Sequence, residues 1–225
     1  KEGLLLLGKV DVTGPRWHEA SADRLTGGVQ IHGDRLTATR IVADRAEGRA
    51  FGELWLTWGD VAPGADQIDM CYRAHRLPVR QGLGAADLDL PLSGIASGWA
   101  RIHGPYERLL IDGQALVEDG HAYGLTLPAV SGGFHLDLEG NRLTVPEFRI
   151  ASSMGQLDPA LEQPSGPLAL QGSVDMDLLQ ETWRGQLCGI VDTEALGLGG
   201  PRIQAQITGR LEGPWTTPFG LWPLP

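Results

Sequence analysis

Long hydrophobic runs are missing from this chain of 225 residues. The longest unbroken aliphatic run covers only residues 4–7. A membrane-spanning helix needs roughly 18 apolar residues, so none is predicted. A charged segment followed by an apolar core and a cleavage site is also missing, so no signal peptide is predicted. Because the chain begins and ends within strand-like sequence, we expect it to be a fragment of a longer protein.

Basic charge is scarce as well. Lys and Arg number 18 against 28 Asp and Glu, which gives a formal net charge of -10. Phosphate binding requires a basic face, so a nucleic-acid partner is not expected. The same acidity weakens the case for docking on an anionic membrane surface.

Residues suited to catalysis or metal binding are few and poorly spaced. Cys71 and Cys188 allow at most one disulfide, and we expect two free, partly buried thiols. The six histidines show neither an HExxH arrangement nor a Cys/His spacing suited to zinc. Asp87 and Asp89, and Asp175 and Asp177, are each two residues apart on an alternating strand, which shows only that each pair shares the polar face. Acid–base catalysis needs one carboxylate in an environment that shifts its pKa away from that of the other. No catalytic residue, metal site or cofactor is therefore predicted, and the chain is not expected to be an enzyme.

Helix signals are sparse, whereas turn residues are abundant. One helical turn each is predicted for residues 73–77 and 178–183, where nearby Gly and Pro prevent longer helices. The 32 Gly and 15 Pro recur between short apolar segments, as turns do in all-β proteins. Residues 156–167, rich in proline and without apolar periodicity, are predicted to form an exposed loop.

The chain contains an internal repeat. The sequence GGVQIHGDRLT at residues 27–37 returns as GGFHLDLEGNRLT at residues 132–144. In each copy a Gly-Asp or Gly-Asn pair separates two strand-like runs, which predicts a β-hairpin. Gly-Pro followed by an aromatic residue occurs at residues 14–17, 104–106 and 213–215. Such repeats predict an elongated, stacked β structure in which neighbouring units cover one another's apolar surface.

Strict alternation of apolar and polar residues is the dominant local pattern. Successive side chains of a strand point to opposite faces, so these segments predict a sheet with one apolar and one polar face. Since no helix is predicted to cover the apolar face, another sheet, the curvature of the sheet itself or a ligand must do so. The residues predicted to line this face are Val29, Ile31, Leu54, Leu56, Leu88, Leu90, Phe134, Leu136, Leu138, Leu168, Leu170, Val174, Met176, Ile203 and Ile207.

The order of segments over residues 88–220 resembles the repeat region of the AsmA-like superfamily, and within it the C-terminal repeat region of TamB-like translocation and assembly module subunits. The similarity rests on LPLSGIASG at 90–98, IHGP at 102–105, LIDG at 110–113 and the second copy of the repeat. It continues through GPLALQGSVD at 166–175 and TGRLEGP at 208–214. Residues 1–90 are interpreted as a first, diverged unit, and residues 91–225 as a second unit with the start of the next, in one continuous array.

The resemblance implies a fold and a function. The fold is all-β: an elongated, curved, mostly antiparallel sheet, or trough, built from repeated units with an apolar concave face. The expected function is that of a periplasm-spanning bridge segment in a diderm bacterium. Its groove would carry phospholipid acyl chains between the inner and outer membranes, assist outer-membrane protein assembly, or both.

The resemblance also implies partners and a location. An outer-membrane β-barrel assembly protein is the implied protein partner, and the full-length protein is expected to be anchored in the inner membrane. Membrane contact would then occur through parts outside this fragment.

Two alternative functions are considered. A structural or adhesive β-solenoid of a secreted surface protein would fill its interior with stacked side chains. A carbohydrate-active β-sandwich enzyme is disfavoured because no convergent acid pair is found in the sequence.

Overall fold

Strands dominate the computed structural model, which describes residues 5–17, 20–45, 48–59, 62, 64–85, 92–122, 125–151, 168–192 and 204–214. The prediction of an all-β fold is confirmed. In chain order the elements are β1 (Leu5–Thr13), β2 (Arg16–Trp17), β3 (Ala20–Ser21), β4 (Arg24–His32), β5 (Arg35–Arg45), β6 (Gly48–Thr57), β7 (Ile68–Pro78), α1 (Val79–Ala85), β8 (Leu92–Gly104), β9 (Leu110–Ala122), β10 (Leu125–Asp137), β11 (Arg142–Ala151), β12 (Leu168–Asp177), β13 (Thr182–Asp192) and β14 (Gln204–Pro214).

The predicted antiparallel sheet is also confirmed. β1 and β4 to β14 form one 12-stranded sheet, in which the strands lie side by side in chain order. β2 and β3 pair with each other in a separate two-stranded sheet. Antiparallel neighbours can be joined by short turns, so a succession of hairpins is enough to extend this sheet.

The predicted hairpin turns are found where the sequence places them. Gly33 has a φ of 60° in the turn that joins β4 to β5, and His32 pairs with Arg35 across it. Asn141, with a φ of 50°, ends the turn between β10 and β11. Glycine and asparagine tolerate this left-handed conformation better than other residues, which explains why they occupy the turns.

The predicted helical turns are wrong. Residues 73–77 belong to β7, and residues 178–181 form the turn between β12 and β13. In that turn the side chain of Asp177 accepts hydrogen bonds from the backbone N–H groups of Leu179 and Gln180, at 3.1 and 2.8 Å. This local carboxylate bonding competes with helix formation. The predicted loop at residues 156–167 lies outside the described residues.

Contacts divide the chain into two compact units. Unit 1 comprises Lys1–Leu90, Ile95–Gln114 and Asp137–Glu139, and unit 2 comprises Pro91–Gly94, Ala115–Leu136 and Gly140–Pro225. Unit 1 therefore holds β1 to β7 and most of β8, whereas unit 2 holds most of β10 and all of β11 to β14. The predicted boundary between repeats at residue 90 stays a prediction.

Candidate functional site

The register of unit 1 sorts its side chains into an apolar and a polar face. Directly opposite residues of antiparallel strands point to the same face of a sheet. One row across four strands consists of Val29, Ala38, Leu54 and Met70. The next row consists of Ile31, Leu36, Leu56 and Ile68. The predicted lining residues of β4 and β6 thus share one face, which we call the apolar face of unit 1.

Much of this apolar face stays partly exposed. Val29, Leu54 and Met70 each keep part of their side-chain surface open to solvent, whereas Ala38 is only 6% exposed. The described helix of the unit, α1, contacts β3 and β7. Apolar side chains left partly open over several adjacent strands form a surface suited to an apolar partner.

The opposite face of unit 1, which we call its polar face, is crossed by ion pairs, although one of its rows contains Val42, Phe51, Arg73 and Trp99. Arg24 and Asp11 pair across β4 and β1 at 2.6 Å, and Arg49 pairs with Asp44 across β6 and β5. The Arg101 guanidinium pairs with Asp69 at 2.8 Å across β8 and β7. Asp44 and Arg49 lie directly opposite each other, whereas the other two pairs are diagonal. Such cross-strand pairs of opposite charge stabilise a solvated sheet face modestly.

The ion pairs also lower the pKa values of carboxyl groups on this polar face. The hydrogen bond from Arg101 lowers the pKa of Asp69, and the one from Arg24 lowers the pKa of Asp11. His103 lies opposite Asp69, and its Nε2 is 2.8 Å from a carboxylate oxygen of Asp112. These contacts hold charged side chains on one face, in keeping with the predicted division into an apolar and a polar face.

Unit 2 repeats the division between two faces. The rows of its apolar face pair Leu143 with Met176 and Val145 with Val174 across β11 and β12. Ile150 pairs with Leu170, which is 8% exposed. Three of the predicted lining residues, Leu170, Val174 and Met176, therefore share this face. The opposite positions of the same strands include Arg142, Thr144, Asp175 and Asp177.

The polar face of unit 2 contains a bonded cluster around Asp175. The Thr144 hydroxyl donates to Asp175 Oδ1 at 2.6 Å, and Arg142 Nη2 donates to Asp175 Oδ2 at 3.1 Å. These bonds, that from Thr144 first, lower the pKa of Asp175. Asp175 therefore stays ionised at neutral pH as part of a structural cluster.

The side chains of β10 continue the apolar face of unit 2. A Cβ added at Gly132 would lie 3.2 Å from the Cβ of Phe148, which places position 132 on the face of Phe148. The alternation of a strand then places Phe134 and Leu136 on that face too. Leu136 is 4% exposed, so it is packed within the protein, while Phe134 remains partly exposed.

The other predicted lining residues have different outcomes. Leu138 lies in the turn after β10, where its N–H donates to the Leu109 carbonyl at 3.1 Å, so its predicted place in a strand is wrong. Leu168 and Ile207 belong to β12 and β14, but the structure describes only their backbone. The predicted residues that lie outside the described part of the chain are Leu88, Leu90 and Ile203.

A cavity of about 630 Å³ opens in unit 1. Its lining includes one cross-strand row of the apolar face, which consists of Ile41, Gly52, Tyr72 and Ala100. The remaining lining residues are chain neighbours of this row, and Val42, Phe51, Arg73 and Trp99 among them form a cross-strand row of their own. Because successive side chains of a strand point to opposite faces, the cavity lies on the face opposite the apolar face. The next row contains only small residues, namely Ala43, Ala50, Ala74 and Gly98.

The cavity row contains a tyrosine that the sequence prediction missed. Tyr72 lies opposite Gly52 and Ala100, and burial raises the pKa of its hydroxyl. The alternation of Ile68, Met70 and Tyr72 is visible in the sequence and could have identified all three. In unit 2, Trp183 was missed as an apolar-face residue, and its indole Nε1 is buried without a hydrogen-bond partner among the described residues.

The two cysteines are unpaired, as expected, but their burial differs. Cys188 is partly buried, whereas Cys71 is exposed on the polar face of unit 1, opposite Arg101. The expectation of two partly buried thiols is therefore wrong for Cys71. In the described part of the chain, no group of three or more His, Cys, Asp or Glu side chains is arranged to hold a metal ion.

Comparisons with known proteins yielded no match. The chain matches no protein-family model, no curated protein and no solved structure. Among the described residues, none of the helices has the length and apolar character needed to cross a membrane. The functional interpretation therefore rests on the residues and geometry of the two apolar faces.

Proposed function

We propose that this chain is a segment of a TamB-like, AsmA-like-superfamily bridge protein that carries phospholipid across the periplasm of a diderm bacterium. In this proposal the apolar faces curve into a groove that accepts acyl chains, while the polar face remains in water. The full-length protein is anchored in the inner membrane. It delivers lipid to the outer membrane, with an outer-membrane β-barrel assembly protein as its partner.

The observation that carries the proposal is the apolar face of unit 1, whose side chains Val29, Leu54 and Met70 are partly exposed among the described residues. In unit 1, apolar rows extend from β4 through β8, and the ion pairs of Arg24 and Arg101 lie on the opposite face. Leaving this surface in water is unfavourable, because each buried CH₂ group contributes about 0.8 kcal/mol. Acyl chains can cover such a surface and remove it from water, because they need no hydrogen-bonding partner along their length.

The strand order favours this function over a β-solenoid. Parallel β-helices stack coils whose strands pair in parallel and close around a filled interior. Here the neighbouring strands are antiparallel and follow the chain order, and the apolar face of unit 1 keeps partly exposed side chains. A meander with one open apolar face is better suited to an exchangeable apolar ligand than to a stacked side-chain core.

Site-specific photo-crosslinking in cells tests the proposal. A photoreactive amino acid at Leu54 or Met70 on the apolar face should capture phospholipid, identified by mass spectrometry. The same probe at Glu53 or Cys71, the neighbouring positions on the polar face, provides the matched control.

Unit 2 offers an equivalent pair of positions. Met176 should capture lipid and Asp175 should not, because they are adjacent in β12 and face opposite ways. Equal labelling from both faces, or no lipid at either Met70 or Met176, would contradict a lipid-binding groove.

A further inference from the structure

The cavity of unit 1 opens on the polar face, beside two exposed aromatic rings. Its lining includes the cross-strand row of Val42, Phe51, Arg73 and Trp99, with one residue from each of the strands β5 to β8. Phe51 is 46% exposed and Trp99 is 45% exposed. Rings this open on a solvated face provide flat apolar surfaces for a ligand. At about 630 Å³, the cavity has the volume of a small-molecule site.

Arg73 lies between the two rings. It is directly opposite Phe51 on one side and Trp99 on the other. Because neighbouring strands are about 4.8 Å apart, positions 51 and 99 are separated by roughly 10 Å. Arg73 is exposed and has no hydrogen bond or ion pair with any other described residue. The Arg49 guanidinium, by contrast, is paired with Asp44 and lies 5.8 Å from the centroid of the Phe51 ring. The hydrogen-bonding capacity of Arg73 is therefore left for a ligand.

Two more charged residues border the cavity, Arg40 and Glu53. Both are exposed, and neither forms a hydrogen bond or an ion pair within the described part of the chain. The guanidinium groups of Arg40 and Arg73 favour an acidic group, which each can bind through two parallel hydrogen bonds. The carboxylate of Glu53 only accepts hydrogen bonds and repels an anion that brings no donor. The ligand must therefore combine an acidic group with hydrogen-bond donors.

The position of the cavity within the sheet excludes one kind of ligand. The strands β5 to β8 are interior strands, each paired with a neighbour on both sides. An extended peptide therefore cannot add to the sheet at this point, because it would find no free strand edge. A pyranose sugar needs no such edge. Its C–H groups pack against aromatic rings, and the hydroxyl groups around its ring donate and accept hydrogen bonds.

We infer that this cavity binds an acidic saccharide. The rings of Trp99 and Phe51 pack against successive sugar rings, and Arg73 between them binds a sugar carboxylate. Arg40 and Glu53 form hydrogen bonds with the hydroxyl groups at the edge of the sugar. The inference goes beyond lipid carriage, because the site lies on the face opposite the proposed path of the acyl chains. The two ligands would not compete for one surface.

Two disaccharides that differ only in charge test the inference. Diglucuronate is cellobiose with both primary alcohols oxidised to carboxylates, so its rings and linkage are the same. Binding of each disaccharide to the purified protein is measured by isothermal titration calorimetry. Wild-type protein should bind diglucuronate about tenfold more tightly than cellobiose, the ratio expected for one hydrogen-bonded charge pair. Arg73→Gln should remove this preference and leave the weaker binding of cellobiose unchanged.

Matched substitutions outside the cavity serve as controls. Arg35→Gln makes the same change of charge at an exposed arginine of β5 outside the cavity lining, so it should retain the preference for diglucuronate. Trp99→Ala should weaken the binding of both disaccharides. Trp58→Ala, at another exposed tryptophan outside the lining, should bind both as the wild type does.

Each outcome supports or overturns the saccharide site. Loss of the preference in Arg73→Gln but not in Arg35→Gln supports it, as does weaker binding by Trp99→Ala. Equal binding of both disaccharides by the wild type, or binding of neither, overturns it. A preference that survives in Arg73→Gln, or that is equally lost in Arg35→Gln, also overturns it. If Trp99→Ala fails to fold, the two arginine variants still decide, because both side chains are exposed. Lipid carriage is tested separately by the photo-crosslinking experiment and stands or falls by that result.

Discussion

At the residue scale, one carboxylate links the polar face of unit 2 to pH. Asp175 accepts hydrogen bonds from Thr144 and Arg142, which together lower its pKa. An unperturbed Asp has a pKa of about 3.9. A depressed pKa contributes stability that is present above the unfolded-state value and is lost as pH falls through the folded-state value. Acid should therefore remove this contribution below about pH 4.

The Thr144 hydroxyl is the larger cause of this shift and can be removed alone. We expect Thr144→Val to raise the folded-state pKa of Asp175 towards its ordinary value. The variant should then lose less stability than wild type between about pH 4 and about pH 2. Urea unfolding at a series of pH values measures how the free energy of unfolding changes with pH. Thr37→Val on the polar face of unit 1 is the matched control. An acid slope unchanged in Thr144→Val would contradict this assignment.

At the element scale, three bulges in the strand pairs whose register is described keep charged residues off the apolar faces. β5 gains one extra residue between Ala38 and Ile41, at Arg40, whose φ is 52°. Strict alternation from Ala38 would place Arg40 on the apolar face. The bulge places Ile41 there instead, opposite Gly52. A bulge of this kind shifts the pairing by one residue and strengthens the local twist.

The other two bulges have the same consequence. In β7 the register shifts between Ala74 and Leu77, where Arg76 has a φ of 55°. In β11 it shifts between Val145 and Phe148, across Glu147. Strict alternation from Ala74 would place Arg76 on the apolar face, but the shift places Leu77 there instead. In the same way, Phe148 takes the position that Glu147 would otherwise occupy.

This pattern shows how far the sequence could predict the fold and the site. Alternation and turn residues predict the hairpins and the faces of Val29, Ile31, Leu54 and Leu56. They fail at the bulges, where the sequences ATRI, AHRL and VPEF break the period of two. A spacing of three between apolar residues across a charged one is the signal that identifies such a bulge. The cavity could not be predicted, because it depends on which residues pair across strands.

Deleting the bulge residue tests this explanation. Without Arg40, the alternation from Ala38 through Thr39 to Ile41 becomes regular, so the deletion should remain folded with its apolar face intact. Deleting Thr37 from the regular part of β5 should instead slip the strand by one residue, moving its side chains to the wrong face. Circular dichroism and thermal unfolding compare the two variants. If the Arg40 deletion unfolds as readily as the Thr37 deletion, the bulge is required for the fold itself.

At the scale of the whole molecule, each unit presents an apolar face, and its charged side chains form hydrogen bonds and ion pairs on the opposite face. If the protein carries phospholipid, acyl chains must move along the apolar faces. A charged substitution at a partly exposed position of such a face should therefore reduce lipid transfer more than it reduces stability. A packed interior would behave in the opposite way, because a buried unpaired charge costs several kcal/mol of stability. Leu136, at 4% exposure, is an example of a position where the charge should unfold the protein.

Substitutions at two adjacent positions in β4 distinguish an effect on lipid passage from an effect on the stability of the fold. Val29 is partly exposed on the apolar face, and Gln30 is exposed on the polar face. Val29→Asp should keep a wild-type circular dichroism spectrum but slow phospholipid transfer between vesicles by about tenfold or more, because a tail must pass an unpaired carboxylate. Gln30→Asp should leave transfer unchanged. If Val29→Asp unfolds the chain, the face is a packed core; if it folds and transfers lipid at the wild-type rate, acyl chains do not pass along this row.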